Sequence, residues 1–190
     1  MNNKYDVIVI DPPWQNKSAK RGSKYAWLDF NDIQKMPLDD LASENCLYLI
    51  WVTNKLKVVD FVENDLFSSL GAQKLATWYW LKLTTTFEPV YPLNSLHKRP
   101  YESVILACNC SKSGRLCNHN DIPKQLMISS VICSIHSSKP PLDDILRYFL
   151  PRKYNEMKRL EMFARNLLSG WTSWGNQVLL NQNINCFKVT

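Results

Sequence analysis

Six short runs constrain the fold more than any other feature: VIVI (7–10), CLYLIWV (46–52), TWYWLKL (77–83), SVILAC (103–108), LMISSVI (126–132) and QVLL (177–180). They are rich in β-branched and aromatic residues, and several are apolar almost throughout. A strand with one wet face alternates polar and apolar residues, so continuous runs predict strands covered on both faces. Helical patterns lie between them. Val58, Val59, Phe61, Val62, Leu66, Phe67 and Leu70 form one stripe, with Gly71 placed as a stop. Leu142, Ile145, Leu146, Phe149 and Leu150 fall at i, i+3, i+4, i+7 and i+8, with a proline just inside the start and acids in the first turn. Strands alternating with helices predict an α/β sandwich around a largely parallel sheet.

No repeat or long linker divides the 190 residues, so 1–180 is expected to be a single domain, followed by an uninformative tail over 181–190. Asn109 to Lys124, rich in Asn, Ser, Cys and Lys, is expected to be a surface loop. The longest apolar run, Cys46 to Val52, is far short of the ~20 residues that a membrane helix needs. The opening stretch lacks a signal-peptide pattern. A soluble chain in the nucleus and/or cytoplasm, without membrane contact, is therefore expected. Six cysteines are too sparse for a disulfide scaffold and are expected to be thiols. Lys and Arg total 23 against 17 acids, a net charge of +6 that favours a polyanionic partner.

In a parallel α/β sheet, ligands gather at the carboxyl ends of the strands. Asp11 directly follows VIVI and opens the tetrapeptide Asp11-Pro12-Pro13-Trp14. An ionised aspartate only accepts hydrogen bonds. Two prolines fix φ, remove two backbone donors and leave carbonyl acceptors on a stiff segment. Trp14 adds a flat π surface. Together they suit a flat ligand bearing an NH2 group, such as adenine or cytosine. Holding both amine hydrogens out of the ring plane frees the nitrogen lone pair to attack an electrophile.

DPPW resembles the signature of the MT-A70 family of N6-adenine methyltransferases, and other segments resemble it in order. These are WVTN (51–54), WLK (80–82), HKRPYES (97–103), HSSKPPL (136–142) and EMFARNLLSGWTSWGNQVL (161–179). Within the family, NKSAKRGSKY (16–25) is similar to the branch of methyltransferase-like protein 4. The resemblance implies a Rossmann-like class I methyltransferase fold in permuted order, a three-layer αβα sandwich with S-adenosylmethionine as cofactor. It implies that Asp11 and the Pro12 and Pro13 carbonyls hold the exocyclic amine while Trp14 packs the base. Trp51 falls among the residues around that base. Ile10 and Asp11 fall beside the cofactor, Lys139 near its methionine end, Glu161, Arg165 and Asn166 around its ribose, and Asn176 and Gln177 beside its adenine.

For the substrate, Lys17, Lys20, Arg21 and Lys24 form an acid-free basic loop, with Tyr25 able to stack. His97, Lys98 and Arg99 beside Tyr101 repeat the basic-plus-aromatic pairing. A base in structured nucleic acid would have to be extruded to reach such a pocket. Cys108, Cys110, Cys117 and His119 supply four candidate zinc ligands, but the C-x-C spacing is tighter than the usual finger and no metal is expected. The chain opens ten residues before Asp11, whereas family enzymes carry an upstream segment. WGNQ at 174–177 stands where that branch is expected to have WGNE.

The resemblance implies methyl transfer to adenine N6 in RNA, including 2′-O-methyladenosine of small nuclear RNA, with DNA as the other substrate. The chain is expected to be a monomer, with a partner subunit left open. The rival reading is an inactive, nucleic-acid-binding partner subunit on the same fold. A third is methylation of a cytosine or glutamine amine.

Overall fold

The computed structural model describes residues 4–15, 27–95, 98–109, 121–132, 138–150, 154–179 and 182. Seven strands form one sheet in the order β5-β3-β4-β2-β1-β6-β7. They are β1 (Tyr5–Ile10), β2 (Ala42–Val52), β3 (Ala72–Leu83), β4 (Tyr101–Asn109), β5 (Gln125–Val131), β6 (Arg159–Met162) and β7 (Trp171–Trp174). The pairs β1–β2, β1–β6, β6–β7 and β3–β5 are parallel, and β4 runs antiparallel to both β2 and β3. The largely parallel sheet expected from the apolar runs is present.

The continuous apolar runs divide between two cores. Ile8, Ile10, Tyr48, Ile50 and Val52 face one layer, while Val7, Val9, Leu47, Leu49 and Trp51 face the other. Successive strand residues point to opposite faces, so a strand buried on both must be apolar at every position. The first layer holds α1 (Phe30–Gln34), α2 (Leu38–Leu41), α3 (Leu56–Asp60), a π-helical turn (Phe61–Leu66) and α4 (Phe67–Ser69). The second holds α5 (Asp143–Phe149). No helix among the described residues is long and apolar enough to cross a membrane.

The π turn follows from residue spacing. Val58, Val62, Leu66 and Leu70 are buried at intervals of four. At 3.6 residues per turn, that spacing drifts about 40° per step, and a wider i→i+5 turn corrects the drift. Gly71 ends the helix at φ 58°, a left-handed conformation open to glycine. The helix α1 starts on a capping box, in which Asp29 and Asp32 each accept from the other's backbone N–H.

Three expectations need correction. The described part of QVLL, 177–179, is not a strand but a turn with Val178 buried. The last two strands are instead RLEM and WTSW, four residues each and too short to show a period. In α5 the proline lies outside the helix, because Leu142 is the N-cap and Asp143 the first helical residue. Finally, Cys108 is disulfide-bonded, against the expectation of six thiols, whereas buried Cys46 is free.

Candidate active site

The strand order brings the site together. From β1 the chain pairs on one side with β2 and on the other with β6, so a crevice opens at the carboxyl ends of β1 and β6. Asp11 leaves β1 there, its N–H donating to the Met162 carbonyl at 3.3 Å. A cleft of about 200 Å³ is lined by Val9, Asp11, Trp51, Lys139, Glu161 and Arg165, with Asn166, Phe163, Leu142 and Trp171 completing its walls. It lies on the face opposite α1–α4, since Val9, Trp51 and Leu142 belong to the second core.

Lys139 dominates the electrostatics. Its Nζ lies 3.0 Å from both carboxylate oxygens of Asp11 and 3.1 Å from Glu102 Oε2. Lys82 pairs with the other Glu102 oxygen. The Lys139 ammonium also sits 5.6 Å from the Trp51 ring centroid, and that of Lys82 4.9 Å from Trp80. Burial raises the Asp11 carboxyl above its usual range, against the opposing pull of Lys139. Burial works against the Lys139 ammonium, but Asp11 and Glu102 outweigh it and hold its pKa up. Glu102 is held below its ordinary value because Lys139 and Lys82 overcome its burial. On β6, burial and then the Asp11 charge push Glu161 up to about 7.

The two prolines and the tryptophan also make contacts within the protein. The Pro12 carbonyl accepts from Trp14 N–H at 2.8 Å and the Pro13 carbonyl from Leu28 N–H at 3.1 Å. One lone pair of each is thus committed to the loop itself, and each keeps a second. Trp14 is only 7% exposed. Its indole N–H donates to the Trp51 carbonyl at 2.7 Å, and its ring meets Phe30 and Phe61 edge-on at 6.2 and 6.3 Å. The expected open stacking face is therefore corrected: Trp14 is a buried anchor that pins the DPPW loop to β2. Trp51, by contrast, does line the cleft.

Among the cofactor candidates, Asp11, Lys139, Glu161, Arg165 and Asn166 line the cleft together. The Ile10 side chain does not, being fully buried in the opposite core, because alternation along β1 sends Val9 and Asp11 to the cleft instead. Asn176 and Gln177 lie in the turn after β7, outside the cleft lining. That turn is held against the end of β6, where Ala164 N–H donates to the Trp174 carbonyl at 3.0 Å and Phe163 meets Trp174 at 5.3 Å. A Cβ on Gly175 would stand 2.3 Å from the Ala164 carbonyl oxygen, so only glycine permits this approach.

Of the substrate candidates, Lys17, Lys20, Arg21, Lys24, Tyr25 and His97 lie outside the described residues, as do Cys110, Cys117 and His119. Exposed Arg99 donates to the Tyr101 hydroxyl at 2.6 Å and lies over its ring, while Lys98 lies over Tyr91. Among the described residues no group of His, Cys, Asp and Glu could hold a metal. Sequence reasoning missed Glu102, Lys82 and Trp171. The first two lie inside the quoted segments HKRPYES and WLK, but their pairing with Lys139 depends on strand order.

The MT-A70 family model matches residues 5–177. The chain is 44% identical to the N(6)-adenine-specific methyltransferase METTL4 of Homo sapiens, over 96% of this chain and 39% of that protein. It is 36% identical to the N6-methyladenosine RNA methyltransferase MTA1 of Pyricularia oryzae, over 92% of this chain and 47% of the relative. It is also 35% identical to a DNA N6-methyl methyltransferase of Caenorhabditis elegans, over 96% and 48%. The chain thus spans less than half the length of these relatives. Its sheet, with the Asp11 strand first and β6–β7 last, is the Rossmann-like methyltransferase arrangement in permuted order. With the family pattern running through strands, cleft and loops alike, the chain belongs to the MT-A70 family.

Proposed function

We propose that this chain transfers a methyl group from S-adenosylmethionine to the N6 amine of adenine in nucleic acid, with RNA the foremost substrate and DNA the second. One observation carries the reading: Asp11, at the switch point of the sheet, already holds an N–H donor with both oxygens. An ammonium held there supports a carboxylate placed to accept N–H bonds of the kind an exocyclic amine would offer.

The residues present fit the cofactor by donor type. Glu161 offers a carboxylate to a sugar diol with Arg165 and Asn166 beside it, Lys139 offers a cation to a carboxylate, and Phe163, Leu142 and Trp171 offer apolar wall. The bound cofactor supplies an electrophilic methyl group. Asp11 orients the amine, so that its lone pair points away from the carboxylate. Lys139 yields at least one Asp11 contact to that amine and keeps Glu102, which Lys82 holds in place. Family membership and the relatives named as adenine methyltransferases support this reading. Lys98, Arg99 and Tyr101 provide a basic-aromatic approach for the strand bearing the base.

The test is mass spectrometry of nucleosides after incubating the chain with the cofactor and matched adenine-containing RNA and DNA oligonucleotides. N6-methylated adenine is expected, and Asp11→Ala should abolish it. A folded chain that binds RNA but methylates neither polymer supports the rival, a non-catalytic partner subunit.

A further inference from the structure

A second polar cluster lies behind the cleft wall, built on Asp143, Tyr154, Arg147 and Arg159, which the proposed methyl transfer does not use. Asp143, the first residue of α5, accepts through Oδ1 from the Trp171 indole N–H at 2.7 Å and from the Tyr154 hydroxyl. Its Oδ2 accepts from Arg147 at 3.1 Å. These bonds hold the Asp143 carboxyl below its ordinary range in spite of its partial burial. Arg159 of β6, only 7% exposed, backs the same group. Its guanidinium lies 4.5 Å from the Tyr154 ring and 5.9 Å from the Trp171 ring, and it donates to the Tyr154 and Gly170 carbonyls.

The placement matters because both ends of the cluster are cleft walls. Ser138, Lys139, Pro140, Pro141 and Leu142 run directly into Asp143 and line one side, while Trp171 lines another. We propose that Asp143 is a positioning residue, whose carboxylate ties the segment carrying Lys139 to the Trp171 wall and thereby sets how tightly the cofactor is held. This rests on the methyl-transfer reading for its ligand, but the tie between the walls does not. A charge-assisted bond to an indole N–H fixes ring orientation in a way that apolar packing alone does not. The two prolines before Leu142 transmit the fixed position to Lys139 with little backbone freedom.

The experiment compares Asp143→Ala, Asp143→Asn and Arg147→Ala with the wild type. Affinity for S-adenosylhomocysteine is measured by calorimetry, and amide hydrogen exchange is followed over 138–142 and 171–174 in the ligand-free chain. Asp143→Ala should weaken S-adenosylhomocysteine binding about tenfold and raise the cofactor KM in parallel, while kcat at saturation falls less than about twofold. Exchange should quicken in both segments together. Asp143→Asn, which keeps an acceptor oxygen, should recover most of the affinity. Arg147→Ala removes an Asp143 partner but neither wall contact, and should leave affinity unchanged. Unaltered affinity and exchange in a folded Asp143→Ala variant overturn the proposal, as does a kcat loss at constant KM. If the wild type itself fails to bind S-adenosylhomocysteine, the methyl-transfer reading falls, and the exchange rates still decide whether Asp143 couples the walls.

Discussion

Replacing Lys139 with Met removes a cation shared by two half-buried acids, and its cost can be worked from the geometry. Lys139 lies 3.0 Å from Asp11 and 3.1 Å from Glu102, and the three side chains are 14%, 15% and 27% exposed. At an effective dielectric of about 20, one such contact is worth roughly 5 kcal/mol of Coulomb energy before desolvation is subtracted. Removing one partner of a buried pair typically costs ~3–5 kcal/mol, since the other charge stays buried. Glu102 keeps Lys82, so most of the loss falls on Asp11. Burial already raises the Asp11 pKa and Lys139 is its main opponent, so the variant's Asp11 should titrate higher still. A folded-state pKa above the unfolded value means that the native state binds more protons between the two, and stability then falls as pH rises. The Lys139→Met deficit should accordingly be large at pH 8 and smaller at pH 5, as read from urea unfolding. Adding Asp11→Asn should recover much of it. A deficit independent of pH, or no recovery in the double variant, would refute this account of the charge cluster.

Other perturbations test separate parts of the site. Glu161 sits at about 7, so S-adenosylhomocysteine binding should strengthen as pH rises through neutrality and its carboxylate becomes able to accept from a sugar diol; Glu161→Gln should flatten that profile in calorimetry. Trp14→Phe deprives the Trp51 carbonyl of its indole donor and should cost about 1–3 kcal/mol in chemical unfolding. Gly175→Ala forces a Cβ to within 2.3 Å of a backbone oxygen and should lower stability by roughly 1–3 kcal/mol, visible as a lower Tm, while loosening the Arg165–Asn166 wall. Removing Lys98 and Arg99 together should weaken RNA binding and reduce its salt slope, by about 0.7 for each single-strand phosphate left without its cation.

Much of this is legible in the sequence because burial on two faces leaves a plain mark. VIVI and CLYLIWV announce central strands, and β1 and β2 lie side by side in the middle of the sheet. Asp11 is legible for the same reason, since a charge that ends such a strand has only the sheet's carboxyl edge to occupy. Edge strands leave a weaker mark. Half of WTSW faces water, and RLEM carries an arginine whose burial depends on two rings and two carbonyls elsewhere in the chain. The role of Trp14 is not legible, because an aromatic after a rigid turn looks the same whether it meets a ligand or a core. The choice is made by Phe30 and Phe61, supplied by helices that cover its side of the sheet.

The Lys139 cluster shows what topology adds to residue identity. Asp11 directly follows β1, Trp51 belongs to β2 and Glu102 to β4, three neighbouring strands in the order β4-β2-β1. Side by side they form a row of acid, ring and acid, and Lys139, from the loop before α5, lies across all three. In sequence these residues are spread over 128 positions, and β4 joins the row only because it runs antiparallel, so that its first residues meet the last of β2. An ionised acid that must stay buried to receive an amine needs a counter-charge, yet a fixed counter-charge would exclude the amine. A lysine shared between two acids resolves the conflict, because it can slacken its hold on Asp11 while remaining paired with Glu102. On the proposed methyl transfer, the second acid is therefore as much a part of the amine's site as the first.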